Sequence, residues 1–227
     1  MAVNERPDLG ATLTHLLQWW NELRDNKPMR FEFVDLPGGT AGKAAIDAAA
    51  DSGANLLALS GPNTEPVANR AITCVLTGAE PDALIAQAPG MSDAEWMEQV
   101  AACRDLAADI YALRGDQVEL CRAAGAAHLV EVVSALLAAA ERRTPVLLEG
   151  ATVWTAALLA DRMNIRAKSW WYGAGTCADP AVRAAAARVG INSGLDLDLP
   201  SESRIGVPVH LSALNQAIEF EQEQMVE

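Results

Sequence analysis

The chain has 227 residues, 51% of them hydrophobic and only 5% aromatic, enough for one large domain whose core is built mainly from small side chains. Its 17 Lys and Arg against 30 Asp and Glu give a net charge of −13, which excludes a nucleic-acid surface because no basic patch remains to neutralise a phosphate backbone. Small anions are not excluded, since a few amides at a helix N-terminus suffice to hold one.

In chain order, residues 8–26 form the first expected helix, with Leu13, Leu16, Leu17, Trp20 and Leu23 at helical spacing. "MRFEFV" (29–34) is a strand candidate, followed by a glycine turn and a helix over about 41–52. The stretch "FVDLPGGTAGKAAIDAAADSG" has the strand, glycines, Gly-Lys and helix order of a phosphate-binding P-loop, but not its spacing. Pro37 stands where the pattern needs its first Gly, and Ala44 where it needs a metal-binding Ser or Thr. The stretch reads as an ordinary strand-to-helix turn. "NLLALS" (55–60) is a short buried strand; 68–77 fits helix or strand by pattern and is read as helix. Ser92 with Glu95 three residues on is a capping box opening a long helix. Two further helical pieces, "DQVELCRAAG" and "AHLVEVVSALLAAAERR", meet at Gly125.

The clearest alternation follows: strand "TPVLLEG" (144–150), helix "ATVWTAALLADRM", strand "AKSWWYG", helix "DPAVRAAAARVG", short strand "LDLDLP" and a final helix "PVHLSALNQAIEFEQEQM". Alternating short strands and helices imply βαβ units on a parallel sheet, with the ligand site at the carboxyl ends of the strands. The expected fold is α/β, a three-layer Rossmann-like parallel sheet of about five or six strands. Residues 1–227 form one domain, and the helices within 1–28 and 207–227 pair as a small appendage through their apolar faces. Those faces could also build a homodimer.

Four strand ends carry polar or glycine-rich sequence: 60–65, Glu149-Gly150, 173–179 and 200–203. Amides and hydroxyls there suit a phosphate and ribose, and a carboxylate in a part-apolar crevice suits general-base work. Singly, each has a structural reading. Asp179 before Pro180 fits a helix N-cap, Ser201 or Ser203 fits a cap for the last helix, and Glu149 fits a carboxylate on helix amides. Cysteines 74, 103, 121 and 177 and histidines 15, 128 and 210 lack metal-ligand spacing and read as free thiols and scattered imidazoles. With no leader-like segment and no membrane-length apolar run, a soluble cytoplasmic protein without membrane partners is expected.

From about Gly42 to Ala217 these strand ends, in this order, resemble the nicotinate-nucleotide:dimethylbenzimidazole phosphoribosyltransferase (CobT) family. "SGANLLALSGPNTEPVANRAITCVLTG" is similar to the family's "GADLLxLGEMGxGNTT" stretch and "TG" turn. "CRAAGAAHLVEVVSALLAAAERRTPVLLEG" is similar to the stretch ending in "PVLLDGF". "GAGTCADPAVRAAAARVG" and "LDLDLPSESRIGVPVHLSALNQA" fall where the family has "SHxSxEPGHxxALxxLG" and "LxLGEGSGAALAxPLxxAA". The resemblance implies an enzyme that uses nicotinate mononucleotide and an aromatic base. The Glu of "GEGSGA" deprotonates a benzimidazole nitrogen, which attacks the ribose anomeric carbon and displaces nicotinate; no metal or cofactor is required.

By that resemblance Glu202 is the base. Gly61, Asn63 and Thr64 belong to the first phosphate-site loop, Glu149 and Gly150 replace the family's Asp-Gly, and Thr176 and Asp179 replace its Ser and Glu. Ser201 and Arg204 flank the base. The chain departs from the family at Ser60-Gly61-Pro62, at "QAPGMSD", at both motif histidines and at "SESRIG", where Arg204 takes a small residue's place. Much of the family's first half has no counterpart. The alternative is therefore a catalytically degenerate subunit, or a small-ligand-binding or regulatory protein, acting with a longer CobT-like chain.

Overall fold

Four strands carry the apolar runs: β1 (Phe31–Asp35), β2 (Leu56–Ser60), β3 (Val146–Leu148) and β4 (Trp171–Gly173). They pair in sequence order, all parallel, with Phe31 opposite Leu56, Leu57 opposite Val146 and Val146 opposite Trp171. This computed structural model describes residues 10–23, 28–36, 41–60, 63, 65–191, 193, 195, 197–200 and 204–226. The helices are α1 (Gly10–Leu23), α2 (Gly42–Asp51), α3 (Pro66–Thr77), α4 (Pro81–Leu84), α5 (Asp93–Ile110), α6 (Gln117–Ala123), α7 (Leu129–Glu141), α8 (Ala151–Met163), α9 (Pro180–Val189) and α10 (Gly206–Val226).

The strand order dictates the layering. Every crossover steps to the next strand in the same direction, and parallel crossovers share one hand, so the connecting helices must lie on one face. They do. Leu57, Leu59, Val146, Leu148 and Trp171 share a core with Ile46 of α2, Ile72 of α3, Leu136 of α7, Leu159 of α8 and Val182 of α9. The opposite face needs a cover from outside the crossovers, and the terminal helices supply it. Leu56, Ala58, Leu147 and Tyr172 pack with Trp20 of α1 and Val207 and Leu214 of α10. Asn21 ties the pair together, its amide donating to both carboxylate oxygens of Glu221 at 2.9 and 3.0 Å. The helices expected within 1–28 and 207–227 thus pack together and also form the layer on this face. The side chains of Leu13 and Leu16 lie outside the described residues.

The sheet has four strands where about five or six were expected. Among the described residues, "LDLDLP" makes an isolated bridge between Leu199 and Cys177, and Ser193 another with Gly173. The Leu197 and Asp198 amides are taken by the Thr176 hydroxyl at 2.9 and 3.0 Å, and Asp198 sits at φ 45°, which no strand tolerates. In "AKSWWYG" the first four residues form a 3-10 turn, Ala167–Trp170, with the Ser169 hydroxyl donating to the Arg166 carbonyl. The capping box at Ser92 forms as read: Glu95 N–H donates to Ser92 Oγ, and Ser92 N–H to the Glu95 carboxylate. The Ser92 amide and hydroxyl both donate to the Glu95 carboxylate and hold it below its usual range. No helix among the described residues is long and apolar enough to cross a membrane.

Candidate functional site

The carboxyl ends of β2, β3 and β4 converge around the buried indole of Trp154 in the first turn of α8. On one side a cleft is lined by Glu149, Gly150, Gly175, Thr176, Leu199 and Gly206. On the other, a second small cleft is lined by Asn63, Asn69, Arg70, Thr155 and Asp179, among others. Each cleft has a volume of about 10 Å³, room for one water. Gly150 makes the turn from β3 into α8 at φ 89°, ψ 152°, a conformation only glycine adopts readily. This is why the strand ends in Glu-Gly.

The expected site residues take distinct places here. Glu149 spans to the start of α10: its Oε1 accepts from the Gly206 amide at 2.7 Å and its Oε2 from the Val207 amide at 3.1 Å. An added Cβ at Gly206 would lie 2.8 Å from Glu149 Oε1, so glycine is what lets the carboxylate approach. Thr176 organises the 197–198 turn through its hydroxyl. Asp179 caps α9, its Oδ1 accepting from the Ala181 amide at 2.9 Å with Pro180 in the first helical turn. Asn63 Oδ1 accepts from the Asn69 side chain at 2.8 Å. Arg204, at φ 51°, turns out of the cleft, with Nη2 3.4 Å from Asp35 Oδ1 and the guanidinium 5.9 Å from the Phe33 ring centre. Gly61, Thr64, Ser201 and Glu202 lie outside the described residues, as do Pro37–Thr40 of the P-loop-like stretch.

That stretch resolves at Gly42. Its amide, at the N-terminus of α2 where a P-loop would hold phosphate, donates to the Glu131 carboxylate of α7 at 2.9 Å. The amide is already satisfied by the protein itself.

Several residues at the strand ends were not singled out from sequence. Asn69 is 3% exposed, donates to Asn63 and more distantly to Thr152 Oγ1 (3.4 Å), and keeps an Oδ1 without a partner among the described residues. A polar pair, Asn69-Arg70, interrupting an otherwise apolar helix was the available signal. His128 Nδ1 lies 3.0 Å from Glu65 Oε2, joining the first turn of α7 to that of α3; residues 63 apart in sequence offered no local cue. Among the described residues no group of three or more His, Cys, Asp or Glu side chains is placed to hold a metal ion.

His210 of α10 packs against the end of β4. It is fully buried, with Nδ1 3.0 Å from the Ala174 carbonyl and its ring edge-on to Tyr172 at 5.4 Å. Burial drives its pKa from 6.5 down to about 4, against the hydrogen bond to Ala174. Below the unfolded value of 6.5 the unfolded chain takes up a proton that the fold refuses. The stability this neutral imidazole supplies is therefore complete above pH 6.5 and is lost as pH falls towards about 4. Between pH 7 and pH 5 wild type is expected to lose roughly 2 kcal/mol more than His210→Gln. Urea unfolding of both chains at the two pH values checks this, and equal pH slopes would refute it.

A family model described as phosphoribosyltransferase matches residues 39–226, which contain every cleft residue named above. The chain belongs to this phosphoribosyltransferase family. Among curated proteins, the nicotinate-nucleotide–dimethylbenzimidazole phosphoribosyltransferase of Mycobacterium tuberculosis is 35% identical over 183 residues, 79% of this chain and 50% of that protein. The Mycobacterium leprae protein of the same name is 34% identical over 182 residues, 78% of this chain and 51% of its own. The chain thus spans about half the length of the curated relatives it matches. A crystal structure of CobT from Thermus thermophilus superimposes with a TM-score of 0.66 at 24% identity, covering 78% of this chain and 54% of that one, and shows the shared phosphoribosyltransferase fold.

Proposed function

We propose that this chain carries the phosphoribosyl-transfer half of a nicotinate-nucleotide–dimethylbenzimidazole phosphoribosyltransferase, taking a nicotinate nucleotide and a benzimidazole-type base to an alpha-ribazole phosphate for the cobalamin lower ligand. The observation that carries the reading is the match to curated proteins of that name across residues whose strand ends meet in one place. In this scheme Glu202 removes the benzimidazole proton. The freed nitrogen attacks the anomeric carbon, the glycosidic bond to nicotinate breaks, and the electron pair leaves with the nicotinate nitrogen. Asn63, Asn69 and Arg70 offer polar groups to the nucleotide in a cleft that must widen from its present one-water volume to admit it. Glu149 holds the start of α10 and Thr176 the 197–198 turn, the described stretches on either side of Glu202 in sequence. No metal takes part. A homodimer or a longer CobT-like partner supplies the remaining surface of the base site.

A second reading, a non-catalytic ligand-binding subunit of such a partner, is favoured by one observation. The Glu149, Thr176 and Asp179 side chains all serve backbone amides of the chain itself. Calorimetry with nicotinate mononucleotide on wild type and Glu202→Gln, followed by nicotinate release with dimethylbenzimidazole, separates the two. Binding with release that falls at least a hundredfold in Glu202→Gln is the expected result. Binding without release supports the subunit reading, and no binding refutes both.

A further inference from the structure

The thiols of Cys74 on α3 and Cys103 on α5 lie 3.8 Å apart, sulfur to sulfur, between the two helices. Both are free, and the proposed transfer chemistry uses neither. Cys103 is fully buried and Cys74 is 6% exposed. Their cover is a single surface helix: of the eighteen residues of α5 ten are exposed, Cys103 and Ile110 are buried, and Trp96, Val100, Leu106 and Ala107 pack half-buried against the core. A surface helix of this kind opens locally at a cost below that of global unfolding.

We infer that Cys74 and Cys103 form a redox pair that closes into an intramolecular disulfide when a small hydroperoxide reaches it, tying α3 to α5. The Cys103 thiolate attacks one peroxide oxygen, the O–O bond breaks, and the released hydroxide takes a proton to give water and a sulfenic acid on Cys103. The Cys74 sulfur then attacks the Cys103 sulfur, expelling a second water that carries off the Cys74 proton. In sum two thiols lose two electrons and two protons, and hydrogen peroxide is reduced to two waters. Two features suit Cys103 to the first step. The hydrogen bond from Cys74 and the nearby Arg70 charge hold its thiol below the ordinary range, against the opposing effect of burial. Full burial of Cys103 also favours a neutral oxidant of two heavy atoms over a bulky disulfide, since it needs the smallest opening.

The cross-link would act where the cleft is built. Arg70, one turn from Cys74, lines the Asn63–Asp179 cleft and donates to Gln99 of α5 at 3.3 Å, so the α3–α5 junction carries both the thiol pair and a cleft residue.

The test is hydrogen peroxide on the intact chain, then alkylation under denaturing conditions and mass spectrometry without reductant. No Lys or Arg lies between Arg70 and Arg104, so trypsin leaves both cysteines on one peptide. Cleavage after Glu95 and Glu98 then separates them unless they are linked. The expected result is fragments that stay joined, two hydrogens lighter than the reduced pair. Cys121, whose burial pushes its pKa up to about 12, should remain alkylatable throughout. Separate fragments, alkylated or individually oxygenated, would overturn the inference. A closed loop of this size should also raise the thermal midpoint by about 5–10 °C in wild type and leave Cys74→Ala unmoved. A peroxide-induced rise that persists in that variant would count against the pair as its cause.

Discussion

Gly42→Ala is expected to destabilise the fold by at least about 3 kcal/mol, a large share of what holds a domain of this kind together. The added Cβ would lie 1.9 Å from the Glu131 carbonyl oxygen, 2.8 Å from its carbon and 3.1 Å from the Ala135 nitrogen. All three are backbone atoms of α7, so no rotamer change relieves the clash. The helices must separate by more than an ångström, and the cost spreads into the Ile46, Ala49, Val132 and Leu136 contacts beneath them. The same movement breaks the Gly42 amide bond to Glu131, which is the N-terminal cap of α2, since Ala41 offers no side-chain acceptor. Denaturant unfolding followed by circular dichroism measures the loss. Gly115→Ala is the control: nothing lies within 4 Å of its added Cβ, and it should change stability by less than about 0.5 kcal/mol. Equal midpoints for the two variants would refute the close-packing account.

Glu149→Ala should cost about 3 kcal/mol and cut the proposed nicotinate release at least tenfold. The carboxylate holds two adjacent amides at the start of α10, both oxygens engaged, in a half-buried cleft where water replaces it poorly. Those amides also stand at the positive end of a long helix, which adds to the carboxylate's grip. Glu149→Gln keeps one acceptor oxygen and puts an NH2 against an N–H, so it should recover less than half of the loss. Gly206→Ala approaches the same bond from the other partner, crowding Oε1 at 2.8 Å. The crowded atom is the far end of a side chain, so the expected cost is smaller, about 1–2 kcal/mol. The double variant should lose little beyond Glu149→Ala alone, because both changes remove one interaction. Additive losses would show that Gly206 and Glu149 act separately.

Much of the fold was legible because it is local. Apolar spacing placed α1, α2 and α8 within two or three residues and left α3 open between helix and strand; Ser92-Glu95 and Asp179-Pro180 mark caps whose bonds span only a few residues. The misreadings have a common cause. "LDLDLP" and the front of "AKSWWYG" look like strands by alternation, yet their amides are claimed elsewhere: by the Thr176 hydroxyl in the first, and by the 3-10 turn after Asn164 in the second. Alternation records which side chains could face a core; it does not record who takes the backbone hydrogen bonds. The candidate site divides the same way. Its strand-end residues could be read from sequence, and so could the family. Their employment could not: Glu149 finds its partners 57 and 58 residues away, and Asn69 finds Thr152 at a separation of 83.

The sequence alone determined an acidic α/β chain, its parallel strands, the carboxyl-end location of its polar residues and its kinship to a phosphoribosyltransferase family. Composition, short-range periodicity and motif order encode these without reference to distance in space. Only the tertiary structure decided that all crossover helices share one face and the terminal helices cover the other. It alone decided that Gly42, already excluded from a phosphate loop by its spacing, is a packing glycine against α7, and that the Glu149 carboxylate serves α10. Each of these depends on which segments meet, and chain folding brings them together across separations where neighbouring residues carry no trace of the contact.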